Sequence, residues 1–433
     1  MLTDRPLSTD QSAPQHAAPS ISADRAPPGA TWLLVIGVYL AYFDRFIPSA
    51  GATFLKREFG LSDAGFGLVA GSLFAIAYAA GAILFGHLAR GRSLAPFLIA
   101  GIAMWTGGII GIGYAARAEH FAAAQIVAGL GQAAFIPAAV SAISSAGNSV
   151  RIGRLTSRFS MASSLGRSSA ALTAGAIIAA IGAFAIAAPV GLPQAWRATF
   201  LLTALPNSLL LMAILVLLPR QQRRAVVQPA ARLHILTRAQ GSLVVAACAA
   251  VVVIQSTAIW FPTLLARLHG IEPARAAIMV GIITLVSAPV GQLVGGQLLD
   301  RLAPRVLAPT AIVILGIATA GLALLLLTAM PRPIAALILL GSANLALGIA
   351  SLSALAGLQR ETPVADRPRI NGYFFATITL VGLGIGPALT GVLSDAGADA
   401  ATALPRALAI VAAAMFVLAI AAHLFARTAG NRQ

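Results

Sequence analysis

Three ionised side chains stand where charge is hardest to keep. Asp44, in AYFDRFIPSAG, lies 12 residues past Trp32 in the apolar run that starts there. That is about 18 Å deep if the run is a helix rising 1.5 Å per residue. Arg45 follows it, and Arg167, in MASSLGRSSAALTAG, lies at a similar depth in another run. A charge at the centre of a bilayer costs ~2.5–3.5 kcal/mol on insertion scales, so each of the three needs a partner or a purpose. The simplest arrangement is an ion pair between Asp44 and one arginine. The second arginine then leaves a formal +1 near the midplane. That charge suits a carboxylate, phosphate or sulfate group, whose geometry an arginine fork matches. Asp44 is also the one carboxylate well inside an apolar run. It is therefore the natural carrier if a proton is the coupling ion, and no other cofactor is expected.

Neutral polar groups recur at depth. Gln125 and Gln132 are seven residues apart, two turns along one helix face, where they can hydrogen-bond a solute but cannot titrate. Gln255 and Trp260 lie in a later run and Asn344 in another. A primary amide facing lipid stays unsatisfied, so Gln255 and Asn344 are expected to face an interior cavity. Prolines at 48, 137, 262, 289 and 387 interrupt the same kind of run. Each removes a backbone donor and loosens its helix. The six histidines show no pair at metal-ligand spacing, and Cys248 is the sole cysteine. No phosphate-binding Gly-x-x-x-x-Gly-Lys-Ser/Thr loop occurs, so nucleotide hydrolysis has no machinery here. An enzyme is not expected, because no second acid, histidine or cysteine gathers near Asp44.

Composition fixes the setting for these groups. Of 433 residues, 58% are hydrophobic and only 10% charged, against about a quarter charged in a soluble protein. Most of the outer surface must face lipid. The net charge of +16 is spread over short breaks between apolar runs, and no basic face tracks a phosphate backbone, so nucleic acid is excluded as a partner. Twelve runs are long enough to span, at about 32–54, 64–89, 95–115, 120–146, 157–183, 196–218, 239–265, 274–299, 306–329, 333–357, 370–395 and 402–426. With the N-terminus cytoplasmic, 19 of the 29 Lys and Arg fall in inside segments and 8 in outside loops. The positive-inside rule then puts both termini in the cytoplasm of an inner-membrane protein. Residues 1–30, rich in Ala, Pro and Ser, read as a disordered tail, since they lack the apolar core of a signal peptide. The basic break at 219–238 reads as a linker between a first bundle (31–218) and a second (239–427). A shift of 210 residues supports that division: Gly60 falls on Gly270, Gly71 on Gly281 and Gly86 on Gly296, and FLKREFGLSDAG meets LLARLHGIEPAR.

Several segments carry a family resemblance. Gly296-Gln-Leu-Leu-Asp300-Arg301-Leu-Ala-Pro-Arg305 resembles the cytoplasmic-loop signature of the major facilitator superfamily, which implies a gating contact at Gly296, Asp300, Arg301 and Arg305. Its first-half counterpart, Gly86-His-Leu-Ala-Arg90-Gly91-Arg92, has Arg90 where the acid belongs. AYFDRFIPSAGATFLKREFGLSDAGFG resembles the first helix and loop of spinster-like facilitators, Asp44-Arg45 matching their Asp-Arg pair, which anion:cation symporters share. AQIVAGLGQAAFIPAAVSAI is similar to their fourth helix and GLGIGPALTGVLSD to their eleventh. The likeness covers residues 32–426. It implies an all-α fold of twelve transmembrane helices in two pseudo-symmetric six-helix bundles, a monomer working by alternating access. Its cavity would be lined by the first, fourth, seventh and tenth helices. It also implies an amphiphile such as a lysolipid as the solute, which together with the cationic midplane gives an organic anion or an anionic amphiphile as the expected cargo. Efflux of a neutral or drug-like solute, or a sensor that binds without moving it, are the alternatives. Gln125 and Gln132 stand where that family typically carries Arg and Glu, which puts its proton-coupling arrangement in doubt.

Overall fold

The computed structural model describes residues 28–89, 92–144, 149–187, 194–217, 236–301, 309–327, 329–330, 332–363 and 367–430. Most of the expected tail and linker, with Arg90 and Arg305, lies outside them. Twelve helices are long and apolar enough to cross a membrane, and no strand forms among the described residues. In chain order they are α1 (Pro28–Phe59), α2 (Asp63–Leu88), α3 (Ala95–Gly113), α4 (Ala118–Ser144), α5 (Ser149–Ala187) and α6 (Ala195–Leu217). The second six are α7 (Arg238–His269), α8 (Pro273–Arg301), α9 (Pro309–Leu327), α10 (Pro333–Arg360), α11 (Arg367–Asp395) and α12 (Ala400–Gly430). Every expected run corresponds to one helix. The largest change of bounds is α5, which extends through Arg158 toward the preceding loop because hydropathy marks only the part of a helix that lies in lipid. A long helix continues past it into water.

Local sequence explains the helix ends. Thr237 caps α7 by accepting from Gln240 N at 3.2 Å, while Gln240 Oε1 accepts from Thr237 N at 3.0 Å, a reciprocal box that satisfies two free donors. α1 and α7 both end at a glycine in the left-handed region, Gly60 at φ 63° and Gly270 at φ 64°, which a side chain disfavours. These are the residues that the 210-residue shift superposes. The next superposed pair also shares a role, since both let a helix of one half touch the other half. A Cβ on Gly71 of α2 would stand 2.9 Å from the Leu383 carbonyl of α11, and one on Gly281 of α8 would strike the Leu172 backbone of α5. Where α2 passes α11 it widens into a π-helical turn, Leu68–Leu73, and Ser72 Oγ donates to the Gly384 carbonyl.

The contacts between halves gather toward the face opposite the ends of the chain. There Asp63, at the start of α2, accepts both guanidinium nitrogens of Arg267 on α7 at 2.6 Å each. It also pairs with Lys56 of α1 and accepts from Ser394 Oγ of α11 at 2.7 Å. Asp395 returns the contact, its carboxylate accepting from the backbone N–H of Asp63 (2.9 Å) and Ala64 (2.8 Å). An acid at a helix N-terminus meets unpaired donors and the positive end of the dipole. Beneath this ionic clasp lies an aromatic layer. Phe66 packs on Trp260 across the halves at 5.6 Å and on Phe121 at 6.4 Å, while Phe59 packs on Phe121 at 5.9 Å. Near the other face a single aromatic pair joins the halves among the described residues, Phe159 with Phe375 at 6.4 Å. The protein is closed on the clasp side.

Removing the carboxylate charge at Asp63 takes away the acid that Lys56 and Arg267 share and leaves Asp395 as the nearby acid of the clasp, so Asp63→Asn should open that face. Spin labels on Glu119 and Ala398, both exposed there, would report longer distances in the variant; an unchanged distribution would show that the clasp is not what holds the halves shut.

Candidate functional site

A cavity lies between the halves, walled by α1, α5, α7, α8 and α10. Its polar lining is Ser49, Arg167, Ser168, Thr284, Asn344 and Ser351, and its apolar lining includes Ile254, Phe261, Val280 and Leu347. The open space is about 30 Å³, room for a water-sized molecule. Thr284 Oγ1 reaches from α8 to the Ser168 carbonyl of α5 at 3.4 Å. Asn344 donates Nδ2 to the Leu340 carbonyl of its own helix at 3.1 Å. Arg167 is the one cation on this wall.

The acid that was expected to pair with an arginine does not. Asp44 is fully buried, and its Oδ2 accepts from Trp105 Nε1 of α3 at 2.7 Å and Asn207 Nδ2 of α6 at 2.6 Å. Among the described residues the ion pairs are Lys56–Asp63, Arg267–Asp63 and Arg197–Glu58, and none involves Asp44 or Arg167. The reason is helical geometry. Successive residues point about 100° apart at 3.6 residues per turn, so Asp44 turns toward α3 and α6 while Arg45 turns toward α2 and α4.

Arg45 has its own surroundings. Gln132 Oε1 accepts from its Nε at 3.2 Å and its Nη2 at 2.8 Å, and Gln132 Nε2 donates to the Ala41 carbonyl at 2.8 Å. Three rings surround the guanidinium: Tyr42 at 4.7 Å, Phe74 at 4.8 Å and Tyr78 at 5.2 Å. A desolvated cation gains from aromatic faces, so these rings do for this arginine what an acid would otherwise do. Gln132 is therefore spent on Arg45 and not on the cavity. Gln125 and Gln255 are buried and do not line the cavity, and Trp260 donates Nε1 to the Pro387 carbonyl of α11 at 3.0 Å, in the aromatic layer under the clasp.

Of the sequence candidates, the structure thus brings Arg167 and Asn344 together at the cavity and groups Arg45 with Gln132. At the expected cytoplasmic gate, Gly296 sits against Leu352 of α10 and Arg301 is exposed at the end of α8. The Asp300 side chain, Arg305 and Arg90 lie outside the described residues. Sequence reasoning missed Trp105, Asn207 and the clasp acid Asp63. Asn207 is a lone amide in an apolar run, so the rule that selected Gln255 and Asn344 would have found it. Asp63 stood in the repeated segment SDAG but at its polar edge, where an acid carries no cost to flag it.

Comparison with known proteins agrees with this architecture. The family described as Major Facilitator Superfamily matches residues 34–380. An "MFS-type efflux pump" of Mycolicibacterium smegmatis (strain ATCC 700084 / mc(2)155) is 26% identical over 427 residues, covering 93% of this chain and 94% of that protein. Among solved structures, a bacterial homolog of the human lysosomal transporter Spinster, inward-facing and occupied, superposes with a TM-score of 0.78 at 21% identity, covering 93% of this chain and 96% of the other. A D-xylose–proton symporter superposes with a TM-score of 0.71 at 16% identity, over 92% and 96% of the two chains. With twelve membrane-spanning helices in two halves closed over a central cavity, and a family match over most of its length, this chain belongs to the Major Facilitator Superfamily and is a membrane transporter.

Proposed function

We propose that this transporter carries a small organic solute with an anionic group, free or as the head of an amphiphile such as a lysolipid, by alternating access. The observation that supports this reading is Arg167. It is a cation on the cavity wall with no ion pair to an acid among the described residues, while the one deep acid is turned to the far side of α1. A cation held in a low-dielectric site is costly until an anion joins it, so a solute anion supplies what the protein withholds. Phe261, Ile254, Val280 and Leu347 offer the apolar part of the solute a wall, and Asn344 and the serines offer hydrogen bonds.

In this reading the protein is a monomer of the inner membrane with both termini cytoplasmic, as the Lys and Arg distribution favours. The clasp then shuts the periplasmic side, and the solute exchanges with the cytoplasm. A proton is the coupling ion and Asp44 its carrier. A second reading, efflux of a neutral or drug-like solute, draws on the related efflux pump and on the large apolar share of the cavity wall.

Two measurements test these statements. In a thermal-shift screen of the purified protein, organic anions and lysolipids should stabilise it. Arg167→Gln should weaken that binding roughly ten- to hundredfold, the worth of a charge-assisted hydrogen bond. Stabilisation by neutral compounds alone would favour the second reading. In proteoliposomes, Asp44→Asn should lose accumulation driven by a pH gradient yet keep counterflow of labelled solute; gradient-driven accumulation at the wild-type level would remove Asp44 as carrier.

A further inference from the structure

Two buried acceptors in touching side chains have nothing to accept from. Asp44 Oδ2 takes both available hydrogen bonds, from Trp105 Nε1 and Asn207 Nδ2. Asp44 Oδ1 and Asn207 Oδ1 are buried without a partner. An ionised carboxylate has two equivalent oxygens and calls for donors at both. A neutral acid differs, with one carbonyl oxygen that accepts and one hydroxyl that donates. An amide presents an N–H and a C=O side by side, so it can meet the neutral acid at both positions at once.

We infer that Asp44 carries a proton on Oδ1 in this conformation and donates it to Asn207 Oδ1, closing an acid–amide ring with the Asn207 Nδ2 to Asp44 Oδ2 bond. A single proton then satisfies both unpaired oxygens, which otherwise are two buried acceptors on side chains already joined by a hydrogen bond. Trp105 fixes which oxygen is the carbonyl, because its N–H already points at Oδ2. Among the described residues no charged group bonds the acid: α3 and α6 present Trp105 and Asn207, Arg45 on α1 faces Gln132 and three rings, and Arg167 on α5 lines the cavity. Asn207 is thus a positioning residue for the coupling proton. Its role in transport rests on the proton-coupled reading above, whereas the protonated pair itself is read without any solute.

Infrared spectra of the full chain in lipid nanodiscs at neutral pH test the pair directly. Wild type should show a carboxylic-acid C=O band that Asp44→Asn removes and Asn207→Leu displaces. Asn207→Leu should also reduce pH-driven accumulation about tenfold, the worth of one hydrogen bond, while anion binding at Arg167 stays as in wild type. Absence of the band in wild type overturns the inference, as does a band indifferent to Asn207→Leu or one that appears only when sodium ions are removed. Should Asn207→Leu fail to fold, Asn207→Ser and the comparison of wild type with Asp44→Asn still decide the matter. A band that behaves as stated beside uptake that ignores the pH gradient upholds the pair and removes only the coupling.

Discussion

Charge in hydrocarbon is the constraint around which this transporter is arranged. Asp44, Arg45 and Arg167 lie near the middle of the first half, and each meets the constraint by a different route. Asp44 lies among neutral donors, an indole and an amide. Arg45 is held by a glutamine oxygen and three aromatic faces. Arg167 is left on the wall of the cavity. Had Asp44 paired with Arg167, the cavity would be neutral and the acid locked. Because each group is handled separately, Arg167 stands where the two halves meet with no ion pair to an acid among the described residues.

That meeting surface follows a second rule, the trade of side-chain volume for close approach. Glycines on α2 and α8 let backbone meet backbone across the halves. The same approach brings the start of α2 to the end of α11, where the clasp forms. Asp63 and Asp395 exchange roles there, one binding side-chain cations and the other binding backbone donors. The clasp is therefore more than a salt bridge between exposed ends, which would be worth little in water. It rests on buried aromatic packing that excludes the solvent.

Much of the fold was legible because a bilayer forces its signal on the sequence: a run of about twenty apolar residues has few other uses. The two positive-φ glycines and the close-approach pair even carried the internal repeat. The site was legible by composition but not by direction. Depth identified Asp44, Arg45 and Arg167, yet only the phase of each helix decides whether neighbours in sequence share a partner. An ion pair was the economical reading of Asp44 with two arginines. It failed because Trp105 and Asn207, neutral and unremarked, occupy the face of α1 that the acid turns to. Trp260 was read as a solute contact and instead bonds the Pro387 carbonyl, since a tryptophan inside a run signals burial without saying in which layer.

Pro48 stands inside α1, four residues after Asp44, and a proline there has no N–H to offer the Asp44 carbonyl. The ladder of α1 is thus open at the acid itself. On one side of the break is the segment that carries Asp44 into α3 and α6; on the other is Ser49, which lines the cavity. The acid's own trio, Asp44, Trp105 and Asn207, lies wholly within the first half. A displacement of Ser49 would therefore act on Asp44 through a turn of α1 that lacks its hydrogen bond.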